Sequence, residues 1–492
     1  MSVSASAMSR VLGIDVTEKN FNSGNSYYLP QRIAIVGQGN SDSQYDTKKY
    51  TVLSSDEVAQ KYGYGSPLHL AVDMLLPSNN DGVGAIPITI YALQDKANAV
   101  AASGEIEITG TATAQKSFKI YVGGISSQQI VISKNDDAEA SLKKIKEAID
   151  GVLEMPCKTS EVADGKLTLT AKWKGESGNQ ISINIDDALV DGLTISKTDF
   201  KDGAVNPDVD EALNQFKDIW ETFVLSCLNY TDTDSLEKYR TFGVGRWGNN
   251  VKKPCLVAHG CTDDFKTRTA ITDAQAQIND YVNFLIVSVG SEELPFRIAA
   301  RGLAKDIVTT ANDNPATNYK GTLTQLKAGD DDKQEDYTVR DKAVQLGSST
   351  NIKISDCAAL NDTVTFYHPS SDKLKVRAYV CDIVKTMNVL YNCELIFAAD
   401  EWKGAPLLPD ADDASGNVNA KQPKDAKTEL ISLAKSLSRN AIISDLDFTL
   451  SNITASIDTQ NPKRLNWTFP VKISGNVEVI SGDIYTGVYL AS

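Results

Sequence analysis

The chain has 492 residues, of which 41% are apolar and 23% charged, with 49 Lys and Arg against 64 Asp and Glu. That length allows several cores, and the composition is that of an ordinary folded protein. The formal charge of −15 opposes nucleic-acid binding, and a mean hydropathy of −0.24, with no run approaching the ~18–20 apolar residues of a bilayer span, argues against membrane insertion.

The opening MSVSASAMSRVLGIDV has no charged region leading into a long apolar core, so no signal peptide is read. Residues 1–30 lack a core-forming run and read as an extended arm. RIAIVGQGN (Arg32 to Asn40) reads as a buried strand breaking at Gly37. Ser54 and Glu57 have capping-box spacing for a helix stopping near Gly63, and Ser66 caps a second helix opened by Pro67. AIPITIYAL (Ala85 to Leu93) is again a strand. Residues 31–95 thus start an α/β core.

The texture changes over 96–200. GEIEITGTATAQKSFKIYVGG predicts paired strands. Asp137 to Val152 predicts a helix with Leu142, Ile145 and Ile149 on one stripe. GKLTLTAKWKGESGNQISINID predicts two strands around a Gly175–Gly178 turn. This reads as an inserted α+β domain. The core resumes over 201–345. DVDEALNQFKDIWETFVLS predicts a helix, with Leu213, Phe216, Ile219, Trp220 and Phe223 at helical spacing. KPCLVAHG predicts a strand, DAQAQINDY a helix, NFLIVSVG a strand and LPFRIAARGLAKDIVTTAND a helix. Residues 346–463 read as a further α+β domain. Its long helix covers KLKVRAYVCDIVKTMNVLYNCEL, with Val376, Val380, Ile383, Met387 and Leu390 facing inward, and a second helix spans AKTELISLAKSL. The fold class is therefore α/β and α+β multidomain: a mixed-sheet core with an inserted β-rich domain and extended terminal arms.

Residues 464–492 form a terminal ribbon. Leu465, Trp467, Phe469, Val471, Ile473, Val477 and Val479 alternate with polar residues, the period of a strand pair with one wet face. Pro470 cannot donate a ladder bond, so its side faces an edge or a bulge. On composition alone the ribbon reads as a hairpin folded within its own domain.

Candidate chemistry is sparse. Cys157, Cys227, Cys255, Cys261, Cys357, Cys381 and Cys393 are spaced without pattern, which predicts reduced, mostly buried thiols. Cys255, His259 and Cys261 have three soft ligands but no fourth at finger spacing, so zinc is not expected. A Cys–His nucleophile pair would need a third orienting group that cannot be read here. His69 reads as structural. GQGN (Gly37 to Asn40) lacks the third glycine of a dinucleotide loop and reads as a turn. Asp410 to Lys421 departs from the calcium-loop pattern and reads as a wet loop. No catalytic, cofactor or metal residue is assigned, no cofactor is expected, and the chain is read as a non-enzyme.

Several stretches resemble the contractile-tail sheath proteins of bacteriophages, in particular the Mu-like branch with its subtilisin-like core. They are Tyr62, Gly63, Ser66, Pro67 and Leu68; then Ala171, Lys172, Gly175, Gly178 and Asn179; then the stretch from Asn312 to Leu326, where Asn314 replaces the acid before Pro315 and Ala316 and Gly321 keeps its place. RVLGIDV resembles the start of the family's first arm, with Leu12 where proline is common. These fragments recur in order over roughly residues 10 to 330; the last third matches by layout more than by words.

The resemblance implies a contractile tail sheath subunit, stacked as hexameric rings around a tail tube, with baseplate and tail terminator proteins as further partners and no nucleic acid or membrane insertion. A trigger at the baseplate would shorten the sheath and drive the tube through the host envelope. The protein would belong to the virion tail and be assembled in the host bacterial cytoplasm. It also turns the reading of the ends toward pairing between subunits, through Val11, Leu12, Ile14 and Val16 at one end. At the other end the pairing set is Leu465, Trp467, Phe469, Val471, Ile473, Val477, Val479, Ile484, Val488 and Leu490. Gly13, Gly24, Gly475 and Gly482 are candidate hinges. Another phage or injection-system structural protein stays open as an alternative, as does a Cys/His hydrolase.

Overall fold

The computed structural model describes residues 26–185, 190–248, 250–373, 376–484 and 486. It forms two compact units: Pro30–Ile383, and a second that joins the two ends of the chain, up to Leu29 and from Val384 onward.

At the centre of Pro30–Ile383 lies a six-stranded sheet. Its order is Asn283–Val287, Leu256–Cys261, Phe223–Ser226, Ile33–Gln38, Ile88–Leu93 and Tyr50–Thr51. The first five run parallel, with Ile33 opposite both Phe223 and Ile88. Tyr50–Thr51 closes one edge antiparallel. A parallel sheet covered on both faces selects continuous apolar strands rather than alternating ones. IAIVGQ and ITIYAL are accordingly buried at every position.

The predicted caps form. Ser54 accepts a hydrogen bond from the Glu57 N–H ahead of the helix Ser55–Tyr62, which ends at Gly63 with φ +96°. Ser66 accepts from the His69 N–H ahead of the helix Pro67–Leu75. The helix Pro295–Gly302 starts directly on the strand Leu256–Cys261: a Cβ added at Gly260 would lie 1.6 Å from the Pro295 carbonyl oxygen, so only glycine lets the two backbones meet.

That helix continues through a π turn, Leu303–Ile307, into Val308–Asp313. Asp306 lies in the turn with Oδ2 buried and unpartnered. Burial pushes its carboxyl from 3.8 up to about 7, against the opposing pull of Lys305 and Arg301. A carboxyl raised on folding contributes stability at low pH that is lost as pH climbs through the folded value. Wild-type Tm is therefore expected to fall between about pH 4 and about pH 7, and Asp306→Asn to reduce that fall. Parallel Tm–pH curves for the two proteins would contradict this.

Three sequence expectations are corrected. The stretch from Asp208 to Ser226 is not one helix. Asp210–Leu213 is a single turn, Lys217 has φ +41°, and Phe223–Ser226 is an inner strand of the sheet. Leu213 and Phe216 are buried as expected, but a short apolar run with no polar interruption fits helix and buried strand equally well. The helix expected over DAQAQINDY lies earlier, at Phe265–Thr272, where the Asp264 carboxylate caps the Thr267 N–H. Finally, the long helix begins at Val380, not near Lys373, and Val376 is exposed.

Between Leu93 and Phe223 the chain builds separate small sheets. One has the order Leu193–Lys201, Ser103–Gly110, Lys166–Ala171 and Cys157–Thr159. The helix Ala138–Asp150, capped by Asp137, buries Leu142, Ile145 and Ile149 as predicted. Ser103–Gly110 pairs with distant strands rather than with the segment that follows it. Lys166–Ala171 and Ile183–Ile185 flank Gly175 and Gly178 but belong to different sheets, with a 3-10 turn between them.

The second unit contains the helix Val380–Ala398 from Val384 onward and the helix Pro423–Arg439. Two short antiparallel ladders complete it. Thr454–Ile457 pairs with Leu465–Thr468, and Ile443–Ser444 pairs with Lys472–Ile473.

Candidate assembly interface

The helix Val380–Ala398 is apolar over most of its inward face, yet Lys385, Asn388 and Asn392 are fully buried in it. Positions i, i+3 and i+7 fall on one side of a helix. A buried polar group must find partners, and these find the two ends of the chain.

The Asn392 amide brackets one residue of the N-terminal segment. Its Oδ1 accepts from the Tyr27 N–H at 2.7 Å and its Nδ2 donates to the Tyr27 carbonyl at 2.8 Å. Asn388 Oδ1 accepts from the Leu29 N–H at 2.8 Å. Each Nδ2 also donates to the carbonyl four residues back, which holds the side chain in place. Two residues of extended chain rise ~6.6 Å and four residues of helix ~6 Å, so the spacings nearly match. One turn of helix therefore stands in for a neighbouring strand. On the other side, the Ser26 N–H donates to Ser436 Oγ at 2.8 Å and Asn440 Nδ2 donates to Ser26 Oγ at 2.8 Å.

Lys385 holds the opposite end. Its Nζ donates to the Ser474 carbonyl at 2.7 Å and to Asn476 Oδ1 at 2.6 Å. The Ser474 N–H donates to the Ile442 carbonyl at 3.1 Å, extending the ladder of Ile473 with Ile443 by one bond.

The predicted continuous ribbon from Arg464 to Leu490 is corrected to two short strands. Leu465 and Trp467 lie in Leu465–Thr468, paired within the chain, and Trp467 stacks on Phe397 at 5.1 Å between centroids and 18° between planes. Phe469 and Val471 are half-buried in the link, and Ile473 closes the second ladder. Beyond Ile473 no strand forms among the described residues: Val477, Val479, Ile480 and Ile484 are 75–89% exposed. Val11, Leu12, Ile14, Val16, Val488 and Leu490 lie outside the described residues. Both ladders have only two strands among the described residues, so each offers free edges. A free edge with an exposed apolar strand nearby is a site for strand addition.

Sequence reasoning missed Asn388, Asn392 and Ser436. A signal existed: Asn388 and Asn392 are poor helix formers four residues apart inside an apolar helical stretch, which marks a face that needs a polar partner.

The other sequence candidates separate in space. Cys255 and Cys261 lie six residues apart along one strand, ~20 Å at strand rise, and burial pushes both thiols up to about 12. His259 is buried between them, lowered to about 4 by burial, with Nε2 3.0 Å from Asn283 Oδ1. Among the described residues no three His, Cys, Asp or Glu side chains gather as metal ligands. In open α/β sheets the crevice beyond the strand ends, where strand order reverses, is the usual ligand position. At the carboxyl end of Ile33–Gln38, Gln38 Nε2 donates to Asp95 Oδ1 at 2.5 Å and to the Lys174 carbonyl at 2.8 Å. No helix follows GQGN directly: the next described element is the short strand Tyr50–Thr51. No described helix is long and apolar enough to cross a membrane.

The chain is 24% identical over 414 residues to the Mu-like prophage FluMu tail sheath protein of Haemophilus influenzae, an alignment that spans 82% of each chain. No family model matches. Solved structures with looser likeness include the sheath tail protein of Listeria innocua, with TM-score 0.48 and 11% identity over 92% of this chain and 93% of that one. The sheath tail protein of Desulfitobacterium hafniense gives TM-score 0.46 and 13% identity over 94% and 100%. These two overlaps are too loose to bear on function, which rests on the sequence relative.

Proposed function

We propose that the chain, 24% identical over 414 residues to a Mu-like prophage tail sheath protein, is the subunit of a contractile tail sheath. In this reading copies stack as hexameric rings around a tail tube, between baseplate and terminator proteins. Contraction of the stack drives the tube through a host envelope. The work is stored in subunit contacts made at assembly rather than supplied by a catalytic site. Residues 31–95 with 201–345 form the shared core, 96–200 project from it, and the particle is built in the host cytoplasm before it becomes part of a virion tail.

The observation that carries this reading is the alignment over 82% of both chains. Support for copy-to-copy contact comes from the exposed side chains Val477, Val479, Ile480 and Ile484 on a segment without a ladder partner among the described residues. Four large apolar side chains in water outside any ladder favour pairing with another chain. The residues 11–16 and 477–490 are the donated segments, and the two-stranded ladders are the acceptors. Electron microscopy of the purified chain, alone and with its tube protein, tests the reading. Hollow cylinders are expected in at least the second preparation; dispersed monomers in both would contradict it.

A further inference from the structure

We infer that the buried stripe Lys385, Asn388 and Asn392 is a clamp that roots both donated ends of a subunit on one helix. Motion of the ends during assembly or contraction is thereby confined to residues before Ser26 and after Asn476. This rests on the sheath reading for its functional meaning, but its geometry stands alone. All three side chains are 0% exposed, and most of their bonds outside the helix go to main-chain atoms: the Tyr27 N–H and carbonyl, the Leu29 N–H and the Ser474 carbonyl. Main-chain capture fixes the path of the segment whatever side chains it carries.

Two consequences follow. First, the candidate hinge Gly475 is held on both sides, because Lys385 bonds to Ser474 and to Asn476. Gly482 is the first glycine beyond the clamp; both glycines are exposed with no atom within 4 Å of an added Cβ, and only the bonds to Lys385 on either side of Gly475 separate them. Bending therefore belongs near Gly482 rather than at Gly475. Second, two ends given to neighbouring copies are tied to one helix, the first through Asn388 and Asn392 and the last through Lys385. A pull on one end is carried by a rigid helix to the root of the other, so the two links of a subunit move together.

The test is hydrogen exchange on the full-length, unassembled protein, which reads the clamp whether or not cylinders form. In Asn388→Leu/Asn392→Leu, the Tyr27 and Leu29 amides are expected to exchange at least ~10-fold faster, while those of Ile33–Gln38 keep their protection. Lys385→Met covers the case of a misfolded double variant, and its faster exchange should appear from Ser474 onward. Unchanged exchange at 27–29 in the double variant and beyond 473 in Lys385→Met would overturn the clamp. So would loss of protection spread evenly over Ile33–Gln38 in every variant. Failure of the wild-type chain to form cylinders would instead count against the sheath reading and leave the clamp standing.

Discussion

Removal of residues 1–25 is expected to abolish ordered cylinders while leaving the thermal unfolding of the subunit unchanged. The shortened chain keeps Ser26, Tyr27 and Leu29, whose bonds to Ser436, Asn392 and Asn388 seat the segment. It loses Val11, Leu12, Ile14 and Val16, the apolar residues read as the donated strand. Strand addition supplies several main-chain hydrogen bonds per contact, and each contact is repeated for every copy in a cylinder. Its loss is therefore all-or-none in an image even where it is small per subunit. Regular cylinders from the shortened chain would show that this arm is dispensable. A large drop in Tm would show that it belongs to the subunit's own core.

Glu335→Ala is expected to destabilise the subunit by roughly 3–5 kcal/mol, because it strands a buried charge. Arg268 has no exposed side-chain surface. Its Nη1 and Nη2 donate to Glu335 Oε1 and Oε2 at 2.5 Å each, and its Nε donates to Ser348 Oγ at 2.9 Å. Ser348 and the Asp263 carbonyl cannot replace the lost carboxylate, since neither carries a negative charge. The contrasting pair Lys143 and Glu139 is exposed on both sides, and Glu139→Ala should leave chemical denaturation curves in place, as exposed pairs do. Equal shifts for the two variants would contradict the assignment of the Arg268 pair as a buried one.

What could be read from sequence divides along physical lines. Local chemistry was legible. Ser54 and Ser66 cap the helices they were expected to cap, and the helix that follows Asp137 buries the expected stripe of Leu142, Ile145 and Ile149. Continuous apolar strands such as IAIVGQ announced a sheet buried on both faces. Phe223–Ser226 was misread because burial on both faces erases the period that separates strand from helix. The partners of Ser103–Gly110 were also out of reach, since its strand neighbours come from 56 or more residues later in the chain. The terminal alternation was real, but it was read as one ribbon. Pro470 stands between the two ladders, and each ladder finds a different partner. The clamp was the least legible feature. Helical periodicity sorts apolar from polar residues; it does not say that a buried asparagine will be answered by main chain ~360 positions away.

The clamp also gives physical meaning to the gathering of both chain ends in one unit. Helix side chains, not a sheet, hold the last described part of the N-terminal segment. That leaves the sheet edges of the same unit open. Ends held without using the ladder edges are what the proposed strand exchange requires.

One map decides whether the ends join copies. Cryo-electron microscopy of assembled particles should show segments before Ser26 and beyond Asn476 hydrogen-bonded to the ladder strands of adjacent subunits. Ends that fold back along their own subunit, with the edges of Thr454–Ile457 and Leu465–Thr468 bare or covered by loops, would contradict it.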